Sequence, residues 1–345
     1  MKTLIKLLAG VLAGLSLAHA EPVPVDKRIV LVVDEWKAVR NLPVVVAERL
    51  GYLRSDGMDV TVMNVRDDVW HGDMLMDGRV DAVMAYWHHN VVNQAKGRDT
   101  EAVITLGTTP GVKVLVANAA RERIHTLADL KGSRVIAGGA GSSKTTVANA
   151  LVLAAGLKLS DYTRLGTAGK EANAEALRDG RADLLIAPTP DADYYLARGV
   201  ATVFADLTTP EGTRQALGVP FPTATVFMTR ERALAQPAIA AHLATAFVRA
   251  LDYMHAHTAE QIVALMPKEV RGKDEAKYLA AVREALPMFA GDGRMPAEGA
   301  AFELDVMRRF DPSYVPVKVE RTYTNDIVGE ALARVHSTST AAAAR

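Results

Sequence analysis

The chain has 345 residues, in which 40 lysines and arginines balance 40 aspartates and glutamates, 49% of residues are apolar and cysteine is absent. This is the composition of a globular protein, and the length favours two domains over one. The lack of cysteine excludes a disulfide scaffold, a cysteine zinc site and a cysteine nucleophile, and the neutral charge balance without a basic run argues against nucleic-acid binding.

The first twenty residues have the pattern of a secretory signal peptide. Two lysines within Met1–Lys6 precede an apolar stretch at Leu7–Leu17, and Ala18-His19-Ala20 is an A-x-A cleavage site. The apolar stretch is about half as long as the ~20 residues that a membrane span needs. We therefore expect cleavage after Ala20 and export of the mature protein.

Two stretches of the chain repeat one pattern. Their sequences are Asp-Gly-Arg-Val-Asp-Ala-Val-Met-Ala from residue 77 and Asp-Gly-Arg-Ala-Asp-Leu-Leu-Ile-Ala from residue 179. In each, a glycine ends a helix and an apolar strand follows. The predicted strands lie near 28–33, 58–63 and 80–85 in the first copy and near 133–137, 162–166 and 182–187 in the second. Strands that alternate with helices predict an α/β fold with mostly parallel sheets.

Beyond the second copy, the pattern becomes mainly helical. Thr223–Met228 predicts one more strand, Pro237–His257 and Glu275–Phe289 predict helices, and Thr258 with Gln261 fits a capping box.

The duplicated pattern predicts two lobes joined by two chain crossings, which we place near 112–117 and 223–228. The predicted boundaries are 27–113 with 227–336 for a discontinuous first lobe, 114–226 for the second lobe and 337–345 for a disordered tail. Two crossings permit hinge closure on a ligand.

In an open parallel sheet, ligands bind outside the carboxyl ends of the strands. The segments that follow the predicted strands are therefore the candidate binding loops. They are Asp34–Asn41, Tyr86–Asn90, Gly138–Thr145 and Pro188–Asp191.

The glycine-rich segment Gly138–Thr146 follows a strand and begins a helix, so free backbone amides and the positive helix end converge there. An anion fits this point. Ser142, Ser143 and Thr145 add hydroxyl donors, and Lys144 adds a charge if it faces the ligand rather than solvent. The Walker pattern fails because Ser143 stands where it needs glycine. The alternative is a glycine-rich helix start without a ligand.

Residues 86–89, Tyr-Trp-His-His, combine two aromatic rings and two imidazoles directly after a buried strand. They suit a ligand wall, in which Trp87 or Tyr86 stacks on the solute and His88 donates to it. In the alternative, Trp87 packs under the next helix and His89 caps that helix. We predict no metal site, because adjacent histidines rarely bind one ion together.

Glu35, Trp36, Arg40 and Asn41 follow the first strand. Arg40 either pairs with a carboxylate, sulfonate or phosphate of the ligand or forms a structural ion pair with Glu35. Asp191, in the other lobe, either meets a ligand amine or caps a helix.

The nucleophile and metal-hydrolase motifs G-x-S-x-G, H-E-x-x-H and S-x-x-K before K-T-G are missing, so we predict no catalytic residue.

Residues 41–53, Asn-Leu-Pro-Val-Val-Val-Ala-Glu-Arg-Leu-Gly-Tyr-Leu, together with 57–60, Leu127–Gly132 and the Gly141–Ser143 turn, resemble the periplasmic solute-binding proteins of ABC importers. The resemblance is closest to the nitrate/sulfonate/taurine group, which includes pyrimidine-precursor binders. It implies the two-lobe type II binding fold with a double-crossover hinge. It also implies a periplasmic monomer that captures a small solute and delivers it to an inner-membrane permease, without a cofactor or membrane insertion.

The resemblance implies that the ligand is contacted from the segments Glu35–Asn41, Ala85–His88, Gly139–Thr145 and Pro188–Asp191. The residues that we expect to bind the solute are Glu35, Trp36, Arg40, Asn41, Tyr86, Trp87, His88, Gly139, Gly141, Ser142, Ser143, Lys144, Thr145, Pro190 and Asp191. The expected solute is a small anionic or polar molecule such as a sulfonate, taurine or nitrate.

Three alternatives remain beside this interpretation. The first is a planar pyrimidine stacked on Trp87 or Tyr86, and the second is a ligand-sensing partner of a membrane receptor. The third is a pyrimidine synthase, which in related eukaryotic proteins uses iron and a Cys-rich stretch; the lack of cysteine and the export signal oppose it.

Overall fold

The computed structural model describes residues 28–65 and 71–343. The predicted signal peptide, residues 1–20, lies outside the described residues. The elements up to the first crossing are β1 (Arg28–Asp34), α1 (Leu42–Arg49), β2 (Asp59–Val65), α2 (His71–Met76), β3 (Ala82–Tyr86), α3 (Trp87–Ala95) and β4 (Thr100–Thr105).

The elements between the crossings are β5 (Val112–Ala117), β6 (Arg134–Ile136), α4 (Ser143–Ala154), β7 (Thr163–Leu165), α5 (Lys170–Arg178), β8 (Leu184–Pro188), α6 (Thr189–Ala197), β9 (Ala201–Leu207) and α7 (Pro210–Leu217). Those after the second crossing are β10 (Ala224–Thr229), α8 (Arg230–Ala235), α9 (Pro237–Ala256), α10 (Ala259–Leu265), α11 (Lys268–Arg271), α12 (Glu275–Ala285), α13 (Ala297–Phe310) and α14 (Asp326–Ala343).

The strands form two five-stranded sheets with the same plan. The first sheet has the order β2-β1-β3-β10-β4 and the second has the order β7-β6-β8-β5-β9. The first three strands of each sheet are parallel, and the fourth strand, β10 or β5, is antiparallel to both of its neighbours. Each sheet is therefore mostly parallel, and the predicted α/β fold class is confirmed. We call the elements packed on these sheets the first half and the second half.

The crossings lie outside the strands in which the sequence placed them. β5 belongs wholly to the second sheet and β10 wholly to the first, so the chain changes sheets within 106–111 and 208–223. Residues 112–117 form a strand rather than a linker because their apolar side chains are buried. The fourth strand of each sheet thus comes from the chain that has just crossed.

The last helix corrects the predicted disordered tail. α14 includes residues 337–343, because the alanines near its end are the strongest helix formers. Residues 344–345 lie outside the described chain. No helix in the described ranges combines the length and the apolar character that a bilayer span requires.

The repeated motif has the same structural role in both halves. Gly78 and Gly180 both have φ of 68°, a conformation that favours glycine. Three residues later, the Asp81 carboxylate accepts from the backbone amide of Val30 at 2.8 Å, and the Asp183 carboxylate accepts from that of Arg134 at 2.8 Å. Each aspartate therefore joins the start of β3 or β8 to the neighbouring parallel strand, β1 or β6.

Asp183 also pairs with the side chains of Arg123 and Arg134, while its own side chain is only 3% exposed. Burial opposes ionisation of this carboxyl, but the hydrogen bonds and charges of the two arginines outweigh it and lower the pKa of Asp183. Since the folded-state pKa is depressed, the carboxylate stabilises the fold above its unfolded pKa of about 3.9, and this contribution is lost as pH falls through the folded value.

We expect Asp183→Asn to lower the free energy of unfolding by about 2–3 kcal/mol at pH 7, because it removes a buried, hydrogen-bonded charge. The difference from wild type shrinks toward pH 3. Urea unfolding across this pH range measures both effects. Asp179→Asn is the matched control, since Asp179 forms only an exposed pair with Arg181. Equal destabilisation by the two variants would contradict a special stabilising role of the buried Asp183 carboxylate.

Candidate functional site

A cleft of about 550 Å³ lies between the two halves and is lined by residues from both. It opens where the carboxyl ends of β1, β3 and β8 and the start of α4 converge, as expected for an open α/β sheet. The polar side chains of its wall are Glu35, Arg40, Tyr86 and His89 from the first half and Ser143, Lys144, Thr189, Asp191 and Thr208 from the second half and the crossing after it. A separate cavity of about 430 Å³, lined by His125 and Phe204, contains none of the predicted site residues.

The turn before α4 uses most of its hydroxyl groups to hold its own shape. Gly138 and Gly141 have φ of 91° and 79°. Ser142 is the N-cap: its Oγ accepts from the Thr145 amide at 3.2 Å and donates to the carbonyl of Ala137 at 3.1 Å. The hydroxyl of Thr145, which is buried, donates to the carbonyl of Gly139 at 2.8 Å. Ser142 and Thr145 therefore build the loop, whereas Ser143 and Lys144 present their side chains to the cleft.

Lys144 has no counterion among residues 28–65 and 71–343. Among the described residues, its ammonium forms neither a hydrogen bond nor an ion pair. The other charges of the cleft are paired: Arg40 Nη1 lies 2.6 Å from Glu35 Oε2, and Asp191 Oδ1 lies 2.6 Å from Lys170 Nζ. Lys144 is thus an uncompensated cation of the cleft wall in the described part of the chain, at the positive end of α4.

The segment after β1 supplies the ion pair of Glu35 and Arg40 to the cleft wall, whereas two other predicted residues do not reach the cleft. Glu35 has φ of 42°, and its ion pair with Arg40 places both side chains on the cleft wall. Asn41 is buried, and its Nδ2 donates to the carbonyl of Glu35 at 3.0 Å. The side chain of Trp36 lines a shallow surface depression with Lys37 rather than the cleft. Asn41 and Trp36 were expected to bind the solute, but neither lines the cleft.

Of residues 86–89, two line the cleft and two are buried. Tyr86 and His89, three residues apart on one face of the start of α3, line the cleft. Trp87 has no exposed surface and packs in the core of the first half with Val83 and Phe227. The expected stacking of Trp87 on a solute is therefore wrong, because the turn of the helix directs its ring under α3.

His88 is also buried and does not reach the cleft. It lines a void of about 20 Å³ with Gly141 and Asn149. Burial, with a smaller contribution from His89, holds the pKa of His88 well below its usual range, so its imidazole is neutral. The expectation that His88 donates to the solute is wrong. His89, which was predicted in the candidate loop but not among the solute-binding residues, lines the cleft instead. The three-residue spacing from Tyr86 was the available signal.

Gly139 and Pro190 are the remaining predicted residues. Gly139 is exposed at the α4 turn without lining the cleft, and Pro190 lies in the first turn of α6, next to Asp191. In the described part of the chain, no cluster of three histidine, aspartate or glutamate side chains is arranged to hold a metal ion.

Apolar side chains form the rest of the cleft wall: Val39, Val112, Ala281, Ala285 and Met288. Ala281 and Ala285 are four residues apart on α12 and so lie on one face of that helix. The sequence does not reveal this wall, because the position of α12 against the cleft depends on tertiary packing.

Comparison with known proteins places the chain in a family. Residues 39–261 match the family described as NMT1/THI5 like. The chain belongs to the NMT1/THI5-like family. A search of curated proteins finds no match.

This NMT1/THI5-like chain is similar to several solved structures. A protein from Bordetella bronchiseptica RB50 is 25% identical with a TM-score of 0.71, and the alignment covers 90% of this chain and 98% of the other. The periplasmic aliphatic sulphonate binding protein SsuA from Escherichia coli is 20% identical, with a TM-score of 0.65 and coverage of 86% and 91%. The alkanesulfonate-binding protein SsuA from Xanthomonas axonopodis pv. citri, bound to MOPS, is 19% identical, with a TM-score of 0.61 and coverage of 90% and 99%.

These neighbours confirm the expected periplasmic-binding-protein fold for the NMT1/THI5-like chain. The two that carry a functional name are binding proteins rather than enzymes.

Proposed function

We propose that the protein is the exported solute-binding component of an ABC import system, which captures a small organic anion in the cleft and releases it unaltered to a permease. The observation that carries the proposal is the uncompensated Lys144 at the start of α4, in a cleft whose other charges are paired. Binding between two halves joined by two crossings fits capture by closure.

The acid group of the solute is assigned to the start of α4. The first amides of a helix have no partner within the helix, and the helix end carries a partial positive charge. Ser143 adds a hydroxyl donor and Lys144 adds a full charge on the same side of the cleft. A sulfonate or carboxylate placed here receives charge-assisted hydrogen bonds, which are about twice as strong as neutral ones.

The body of the solute is assigned to the apolar wall. Val39, Val112, Ala281, Ala285 and Met288 suit an aliphatic chain. The volume of about 550 Å³ far exceeds what a single inorganic ion fills, so an organic anion fits better than nitrate. The MOPS bound by the Xanthomonas relative is such an organic anion.

A pyrimidine-type solute is less well supported than an organic anion. Its binding was expected to use Trp87 or Tyr86 as the stacking face. Trp87 is a core residue, which leaves the ring of Tyr86 and the smaller imidazole of His89 on the cleft wall.

Isothermal titration calorimetry with short alkanesulfonates, MOPS, matched carboxylates, nitrate and an aminopyrimidine tests the solute class. We expect at least one organic sulfonate or carboxylate to bind with a Kd of about 1 µM or tighter, and nitrate and the aminopyrimidine to bind far more weakly. Binding of the aminopyrimidine without any anion would contradict the proposal.

Delivery to a permease is tested separately. Solute uptake into vesicles that contain the cognate permease and ATPase should require the protein and should return the solute chemically unchanged. Uptake that is independent of the protein, together with binding to a sensor receptor, would instead support the sensing alternative.

A further inference from the structure

One ion pair joins the two halves through the wall of the cleft. The ammonium of Lys113, on β5 of the second half, contacts the Oε1 of Glu284, on α12. α12 belongs to the first half, because its residues Tyr278, Val282 and Ala285 pack in the core of the first sheet. The pair therefore spans the boundary that a closing motion of the two halves would cross.

The pair is shielded from water. The side chain of Lys113 is 12% exposed and that of Glu284 is 31% exposed. Burial alone would lower the pKa of Lys113, but the hydrogen bond and charge of Glu284, aided by the charges of Asp206 and Asp193, raise the pKa above its usual value. Lys113 is therefore charged at neutral pH, and the attraction is screened less than that of a surface pair.

The pair also lies directly beside the solute cleft. Val112, the neighbour of Lys113, lines the cleft, and so do Ala281 and Ala285, which flank Glu284 on α12. An opening motion that moves β5 away from α12 would separate the two charges. Their attraction is thus available only when the halves are close together.

We propose that Lys113 and Glu284 form a latch between the halves, which stabilises the close arrangement and so sets the affinity for any solute that the cleft accepts. Neither side chain needs to touch the solute. The apparent Kd is the intrinsic Kd divided by the fraction of protein in the binding-competent arrangement, so a weaker latch raises the Kd of every ligand by one factor.

The test uses Glu284→Gln, Lys113→Met and the exchanged double variant Lys113→Glu with Glu284→Lys. Small-angle X-ray scattering of the ligand-free protein should show a larger radius of gyration for each single variant. The exchanged variant should return only part of the way toward wild type, because Asp206 and Asp193 repel a carboxylate placed on β5. In calorimetry, each single variant should weaken every ligand that binds wild type by the same factor, about tenfold.

Glu298→Gln is the matched control. Glu298 on α13 pairs with Arg214 on α7 at 3.5 Å, and both side chains are more than half exposed. Such surface pairs contribute little, so this variant should behave as wild type. If the exchanged variant does not fold, as judged by its melting curve, the comparison of Glu284→Gln with Glu298→Gln carries the test.

If ligand-free Glu284→Gln has the same radius of gyration as wild type, the proposed latch is wrong. A loss of affinity for some ligands and not others would also contradict it, because that pattern marks a direct contact with the solute. The scattering experiment requires no ligand. Its result can therefore contradict the latch without contradicting the proposed solute class, and the calorimetry can contradict the solute class without contradicting the latch.

Discussion

Lys144→Glu is expected to weaken binding of an organic anion by about a hundredfold or more, because it replaces a cation of the cleft with a negative charge that repels the ligand. The fold should not be weakened. Lys144 lies in the first turn of α4, where an acidic side chain interacts favourably with the helix end. Calorimetry measures the affinity, and thermal melting measures the stability.

Lys131→Glu is the control for Lys144→Glu. It makes the same change of charge at an exposed position of the second half that does not line the cleft. Only a small, salt-sensitive change in affinity is expected there. If both substitutions weaken binding equally, the overall charge of the protein governs binding rather than the position of Lys144, and the assigned site of the acid group is wrong.

Trp87→Ala is expected to lower the free energy of unfolding by about 3–5 kcal/mol, since it leaves a cavity under α3 in the core of the first half. Chemical denaturation measures this loss. Tyr86→Ala should change stability far less, because Tyr86 lies at the cleft wall, but it should weaken solute binding severalfold.

The opposite pattern would restore the stacking interpretation. If Trp87→Ala folds with nearly wild-type stability and loses only ligand binding, the indole contacts the solute rather than the core.

Local signals were sufficient to predict the repeated strand and helix pattern, but not the strands β4 and β9. The glycines of the repeated motif adopt positive φ in both halves, and the capping box at Thr258 and Gln261 is formed. Each of these features depends on a few neighbouring residues, so spacing reveals it. The antiparallel fourth strands were not predicted as part of the plan, because their partners lie far away in the chain.

The candidate site was predicted less completely. The four loops were located because the carboxyl ends of parallel strands meet at one edge. Which side chains enter the cleft depends on helix rotation, and a turn of one residue separates the core position of Trp87 from the cleft position of Tyr86. Ala281 and Ala285 carry no chemical signal at all, and only the packing of α12 brings them to the wall.

The origin of the fourth strands sets an order for assembly of the nascent chain. All five strands of the second sheet come from residues 112–207, whereas the first sheet has a gap between β3 and β4 until residues 224–229 have been made. The second sheet is thus the first one whose strands have all been synthesised. The N-terminal strands must wait, with an unfilled central position, for a segment that emerges after the other half is complete.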